Sequence, residues 1–128
     1  MSARRRETEA VAVRIIVVGA GQVGESIAAD LADDHEVVIV ERDPDRVEEL
    51  TYALDVLAVQ GDGASLATLE EVDVERADMV IASTDVDETN IVTCSTVAAV
   101  SDAFTVARVK QTGYLETWRR SQHAFGSS

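Results

Sequence analysis

Lysine is almost missing from this chain. Among 128 residues it occurs once, at Lys110, against 24 aspartates and glutamates, and the formal net charge is −13. A negative field of that size repels nucleic acid and excludes it as a partner. It also sets the carboxylates against one another, a repulsion that salt screens. A carboxylate-rich, lysine-poor balance is the one expected in the high-salt cytoplasm of a halophile. Cysteine is equally scarce. Cys94 stands alone, which excludes an internal disulfide and a cysteine-based metal cluster. It lies in an apolar helical stretch and reads as a small core residue. Aromatics make up only 4% of the chain, so the core must be built from Ala, Val, Leu and Ile. No apolar run reaches the roughly 18 residues that argue for a membrane span. Arg4, Arg5 and Arg6 lead into Glu7, Thr8 and Glu9 rather than the apolar core of a secretory signal. The expectation is a cytoplasmic protein without direct membrane insertion.

What is present is a regular alternation. Residues 1–12 carry charge without apolar periodicity and read as a mobile tail. From Val13 onward, residues 13–126 read as one domain in which short apolar runs alternate with helical patterns. Strands are expected near 13–18, 36–40, 55–59, 78–82 and 104–109. Helices are expected near 22–33, from Pro44, near 65–71, at 87–100 and at 112–121. In the first helix Val23, Ile27, Ala28 and Leu31 fall on one face; in the second, Val47 and Leu50 point inward. Asp43 suits the N-cap and Pro44 the first turn of that second helix. Strands separated by helices imply right-handed crossovers and a parallel sheet. The fold class is therefore α/β, a Rossmann-like doubly wound sheet in three layers, of order 3-2-1-4-5, with a sixth strand missing or truncated.

The most specific local signal is RIIVVGAGQVGESIAADLADDHEVVIVERD at 14–43. Gly19, Gly21 and Gly24 have G-x-G-x-x-G spacing between a strand and a helix, and Glu41 ends the next strand. That is the dinucleotide-binding fingerprint in its context. Gly19 permits the tight turn, Gly21 lets backbone approach a pyrophosphate, and Gly24 allows close packing of helix on strand. The helix from Gln22 aims its free N–H groups at the phosphates. Glu41 suits the adenosine ribose hydroxyls and would repel a 2′-phosphate, which favours NAD over NADP. Arg42 beside it has the chemistry to stack on adenine or pair with a phosphate, and equally suits a solvated position.

Two further turns reach the same end of the sheet. In Gln60-Gly61-Asp62-Gly63-Ala64, small residues leave room for adenine; Asp62 suits either the N-cap of the short helix or a bond to the base. In Ser83-Thr84-Asp85-Val86-Asp87-Glu88-Thr89-Asn90, Asp85 or Asp87 is the expected N-cap of the 87–100 helix. Asp62, Asp85, Asp87 and Glu88 offer oxygen enough for a weak divalent-ion site, but in so acidic a chain a solvated face is the simpler reading, and no metal is expected. The machinery of hydride chemistry is missing. Neither Tyr52 nor Tyr114 has a lysine four residues on, neither His35 nor His123 joins a visible proton relay, and no substrate domain is expected. The residues favour binding a dinucleotide over transforming one. An NAD-dependent oxidoreductase, or a detached half of one, is the alternative.

The segments RIIVVGAGQVGESIAADL, VVIVERDPDRVEEL, VQGDGASLATLEEVDVERADMVIASTDVDETN and VARVK with Tyr114-Leu115 resemble the N-terminal domain of the TrkA family, also called the RCK or KTN domain. With the acidic composition, the resemblance suggests a halophilic archaeal source. It implies a non-enzymatic regulatory subunit that binds NAD(H), or in some members ATP or ADP. It further implies a homodimer or higher oligomer docked on a membrane potassium transporter. By position, Gly19, Gly21, Gln22, Val23 and Gly24 would hold phosphates, Glu41 the ribose, and Asp62 and Ala64 the adenine. Thr84, Asp85 and Arg108 would face the other end of the ligand. Ile91, Val92, Cys94, Val97, Ala98 and Val100 give the 87–100 helix more apolar surface than one stripe requires, which suggests a subunit contact there.

Overall fold

The computed structural model describes residues 12–111 together with Glu116, Arg119 and Arg120. Five parallel strands form one sheet in the order β3-β2-β1-β4-β5. They are β1 (Arg14–Val18), β2 (Glu36–Glu41), β3 (Leu57–Gln60), β4 (Met79–Ala82) and β5 (Phe104–Ala107). Helices α1 (Gln22–Ala32), α2 (Pro44–Ala53), α3 (Leu66–Glu71) and α4 (Asp87–Val100) alternate with them, and a 3₁₀ turn occupies Val74–Arg76. The expected class and strand order are those observed.

The central strands are apolar at every position because both of their faces are covered. Ile15–Val18 and Val37–Val40 are buried without a break. Alternation then divides them between two cores. Ile16, Val18, Val38 and Val40 pack with Leu69, Val74 and Val97 on one face. Ile15, Val17, Val37 and Ile39 pack with Ala28 and Leu50 on the other. Parallel register sets Val18 beside Val40 and beside Ala82. The carboxyl ends of β1, β2 and β4 therefore finish level, and the loops that follow them meet in one cleft.

Three expectations shift. The third strand begins two residues late, at Leu57, where pairing with Val38 begins; as an edge strand it lacks the continuous burial that marks β1 and β2. Val23 is exposed rather than inward, and Gly24 takes the buried position above Ala28. The α4 helix spans the expected 87–100, but its inward face is polar as well as apolar: Asp87, Asn90 and Thr93 are buried with Cys94 and Val97. Of its apolar residues, Val92 and Ala98 face outward while Ile91 and Val100 are half-buried. The helix expected at 112–121 lies mostly outside the described residues, as does nearly all of the expected N-terminal tail. Glu116, Arg119 and Arg120 are helical, and Arg120 donates to Glu116 at 3.0 Å. No described helix is long and apolar enough to cross a membrane.

Candidate functional site

The glycine turn is held by its neighbours, not by its own side chains. Gly19 has φ +93°, a left-handed conformation that disfavours other residues. Its N–H donates to the Val40 carbonyl at 2.8 Å, tying the turn to β2. Buried Ser83 lies behind it, with Oγ 3.2 Å from the Gly19 carbonyl. A Cβ on Gly24 would sit 2.0 Å from that same carbonyl, so this glycine sets how closely α1 approaches β1. Gly21 differs. A Cβ there meets no protein atom within 4 Å. Packing gives no reason for a glycine at this position. Gly21 is also the N-cap of α1, with no side-chain cap, so the first N–H groups of the helix have no intrahelical partner.

Above the turn opens a cavity of about 290 Å³, near the lower end of the roughly 300–1,000 Å³ of small-molecule sites. Of the residues expected at a ligand, Gly19, Gly21, Glu41, Arg42, Thr84 and Asp85 line it. Gln22, Val23, Gly24, Asp62, Ala64 and Arg108 do not. Gln22 and Val23 are exposed on the first turn of α1. The Asp62 carboxylate turns back to accept from Ala64 N at 2.9 Å. It therefore closes a local turn, and Ser65 takes the N-cap position of α3, one of the two roles considered for Asp62. Arg108 reaches the cleft only through Asp85, with Nη1 3.4 Å from Oδ1.

Glu41 is held by two backbone amides. One carboxylate oxygen accepts from Ala20 N at 2.8 Å and the other from Asp43 N at 2.9 Å. Each oxygen keeps acceptor capacity toward the cavity. Asp43 caps α2 as expected, accepting from Asp45 N at 2.9 Å, with Pro44 in the first turn.

Neither Asp85 nor Asp87 caps α4; Val86 holds the N-cap position. The Asp87 carboxylate is buried and accepts from the backbone N–H groups of Lys110 and Gln111 at 2.9–3.1 Å. The bond from Lys110 N–H, foremost, holds its carboxyl below the ordinary range. Two uncapped amides beyond β5 thus claim the carboxylate that the helix start would otherwise use. Asn90, fully buried, joins the same region. Its Nδ2 donates to the carbonyls of Thr84 and Arg108 at 3.0 and 2.8 Å, and its Oδ1 accepts from Thr84 N at 2.9 Å. The four acids considered for a divalent ion do not converge: among the described residues no group of three His, Cys, Asp or Glu could hold a metal.

Sequence reasoning missed Arg46 and Asn90, and read Gly63 only as room for adenine. Arg46 lines the cavity one turn into α2; a cation so close to the acidic end of β2 was the available signal. Asn90 was legible as a polar residue at an inward helical position, which demands partners. Gly63 faces Val18, whose Cγ1 lies 2.1 Å from where its Cβ would be.

At 35% identity, 89% of the chain aligns with 26% of the Trk system potassium uptake protein TrkA homolog of Archaeoglobus fulgidus. At 39%, 80% of it aligns with 23% of TrkA from Halomonas elongata. The chain thus spans about a quarter of the length of these relatives. Among solved structures, the TrkA-N domain of the inner membrane protein YbaL from Escherichia coli superposes with a TM-score of 0.77 at 23% identity, over 86% of this chain and 82% of that one. The GsuK channel bound to NAD gives 0.76 at 22% identity, over 87% and 20%. The TrkA-N domain profile matches residues 15–124, and the chain belongs to the TrkA-N domain family.

Proposed function

We infer that this chain is a nucleotide-sensing regulatory domain of a potassium-uptake system, and that its ligand is NAD(H), with ATP or ADP as further candidates. The observation that carries the reading is the open space above Gly21, bounded by the uncapped start of α1 and by the Glu41 carboxylate. Bare backbone and free N–H groups suit a pyrophosphate, and a fixed acid at the end of β2 suits a ribose diol. The relatives are potassium-uptake proteins, and similar folds include a channel bound to NAD and the same channel bound to ADP.

In this reading Gly19, Gly21 and the first turn of α1 at Gln22 and Val23 hold the phosphates, with Gly24 supporting the turn from below. Glu41 holds the ribose. Arg42, Asp62 and Ala64 border the adenine, and Thr84, Asp85 and Arg108 border the far end. The domain works by binding, not by turnover. It acts in the cytoplasm, peripheral to the membrane through its transporter. It pairs with a second copy through the outer face of α4, where Val92 is 48% exposed. The acidic surface is suited to a halophile's cytoplasm.

Calorimetric titration with NAD+, NADH, ADP and ATP tests the reading. Glu41→Ala should weaken NAD affinity by about 1.5–3 kcal/mol, the range for hydrogen bonds to charged groups. It should also lower thermal stability, because Ala20 N and Asp43 N lose their acceptor. Unchanged affinity in this variant, or turnover of NAD with an alcohol or hydroxy acid, would contradict the reading.

A further inference from the structure

Arg46 sits where α1, α2 and the glycine turn meet. Its side chain is 26% exposed. Nε donates to the Ala20 carbonyl at 2.6 Å, one residue before Gly21. Nη2 pairs with Glu25 in the first turn of α1, and Nη1 lies 3.3 Å from Glu49 on α2. Hydrogen bonding to Glu25, foremost, raises its pKa further, so its charge is permanent.

The cavity lining carries two cations, Arg42 and Arg46, against three acids, Glu41, Asp43 and Asp85. A phosphate placed above Gly21 meets Glu41 as a like charge in a chain that is already strongly negative. Arg42 is exposed at the rim. Arg46 is the cation anchored to the turn itself. Its planar fork has donors to spare and a geometry matched to phosphate oxygens. Its present partner, Glu25, is 39% exposed and can return to water at small cost.

We propose that Arg46 is an anion-responsive latch. Its guanidinium ties α1 to α2 through Glu25. A nucleotide's phosphate takes Glu25's place on the guanidinium, so that filling the cleft breaks the link between the two helices. This rests on the nucleotide reading above and adds to it a named phosphate ligand and the contact that the ligand exchanges.

The test compares ADP with adenosine by calorimetry at one fixed KCl concentration, on the chain and on Arg46→Gln, Arg46→Lys and Glu25→Gln. A phosphate-bound Arg46 predicts that Arg46→Gln weakens ADP by about tenfold or more, as expected for a charge-assisted bond, and leaves adenosine within about twofold. Arg46→Lys should recover part of the ADP affinity. Glu25→Gln should strengthen ADP, since it removes the competitor. If Arg46→Gln fails to fold, Arg46→Lys and Glu25→Gln decide. Equal losses for ADP and adenosine would make Arg46 a support of the turn only and overturn the proposal. So would weaker ADP binding in Glu25→Gln. Binding of neither ligand by the unaltered chain would overturn the nucleotide reading as well.

Discussion

Single residues in this domain divide into those that pack and those that leave room. Gly24 and Gly63 are glycines because a Cβ would collide with the Gly19 carbonyl and with Val18; Gly21 is one where nothing collides. Glycine spacing alone does not tell these cases apart, since it marks a turn but not which glycine faces a ligand. Glu41 was legible because an acid at the end of an apolar run stands out. Arg46 was not, since its meaning depends on Ala20 and Glu25, 26 and 21 residues away. Cys94 offers a clean test at this scale. It is buried, and burial raises its pKa from 9.0 to about 11. In the unfolded chain the thiol ionises first, so the stability linked to it is fully present below pH 9 and is lost as pH rises toward 11. Cys94→Ser should flatten that part of the pH–stability curve. At neutral pH, Ellman's reagent should label the native chain far more slowly than the denatured one; equal rates would show the thiol accessible.

At the scale of elements, the close fit of α1 against β1 is the main constraint on the cleft. Gly24→Ala forces a methyl into backbone, which cannot yield as a flexible side chain would. We expect a loss of about 1–3 kcal/mol, the range for overpacking, read as a lower midpoint in urea. A midpoint unchanged within error would mean that α1 has slack against the sheet. The start of α4 is the second constraint. Asp87 and Asn90 bind the chain beyond β5 to the loop after β4, so the far wall of the cleft is held by buried polar groups and not by packing. This is why the element was legible and its cap was not. Helical spacing gives the span 87–100 directly, but which acid caps a helix depends on what else competes for it. Here the amides of Lys110 and Gln111 compete for Asp87. Strand β3 blurs for a related reason, because an edge strand needs no continuous apolar run.

For the whole molecule, charge and assembly matter most. A formal net charge of −13 on 128 residues places many carboxylates within a Debye length of each other in dilute buffer. Thermal stability should therefore rise from low salt to molar KCl as screening relieves the repulsion. A melting temperature that falls or stays flat over that range would contradict the high-salt reading. Among the described residues, apolar side chains are exposed at both edges of the sheet: Tyr52 and Leu57 on the β3 side, and on the other Val92 of α4 with Phe104 at 65% and Val106 at 39% exposure on β5; the α4–β5 face is the one we expect to pair. Sedimentation in molar salt should show a dimer, and a monomer at tens of micromolar would exclude this face as a self-contact of the isolated chain. Class was legible from alternation and sheet order from alternation together with the glycine fingerprint, whereas the cleft needed the level ends of β1, β2 and β4, a matter of register. The central claim is that a nucleotide lies over the glycine turn with its pyrophosphate against Gly21. Its most direct test is calorimetry of NAD(H) and ADP on the chain and on Gly21→Val in molar KCl. The account predicts saturable binding to the chain and none to Gly21→Val, at an unchanged melting temperature, because the new Cβ enters open ligand space with no protein atom within 4 Å. Equal affinity in the two proteins would contradict it.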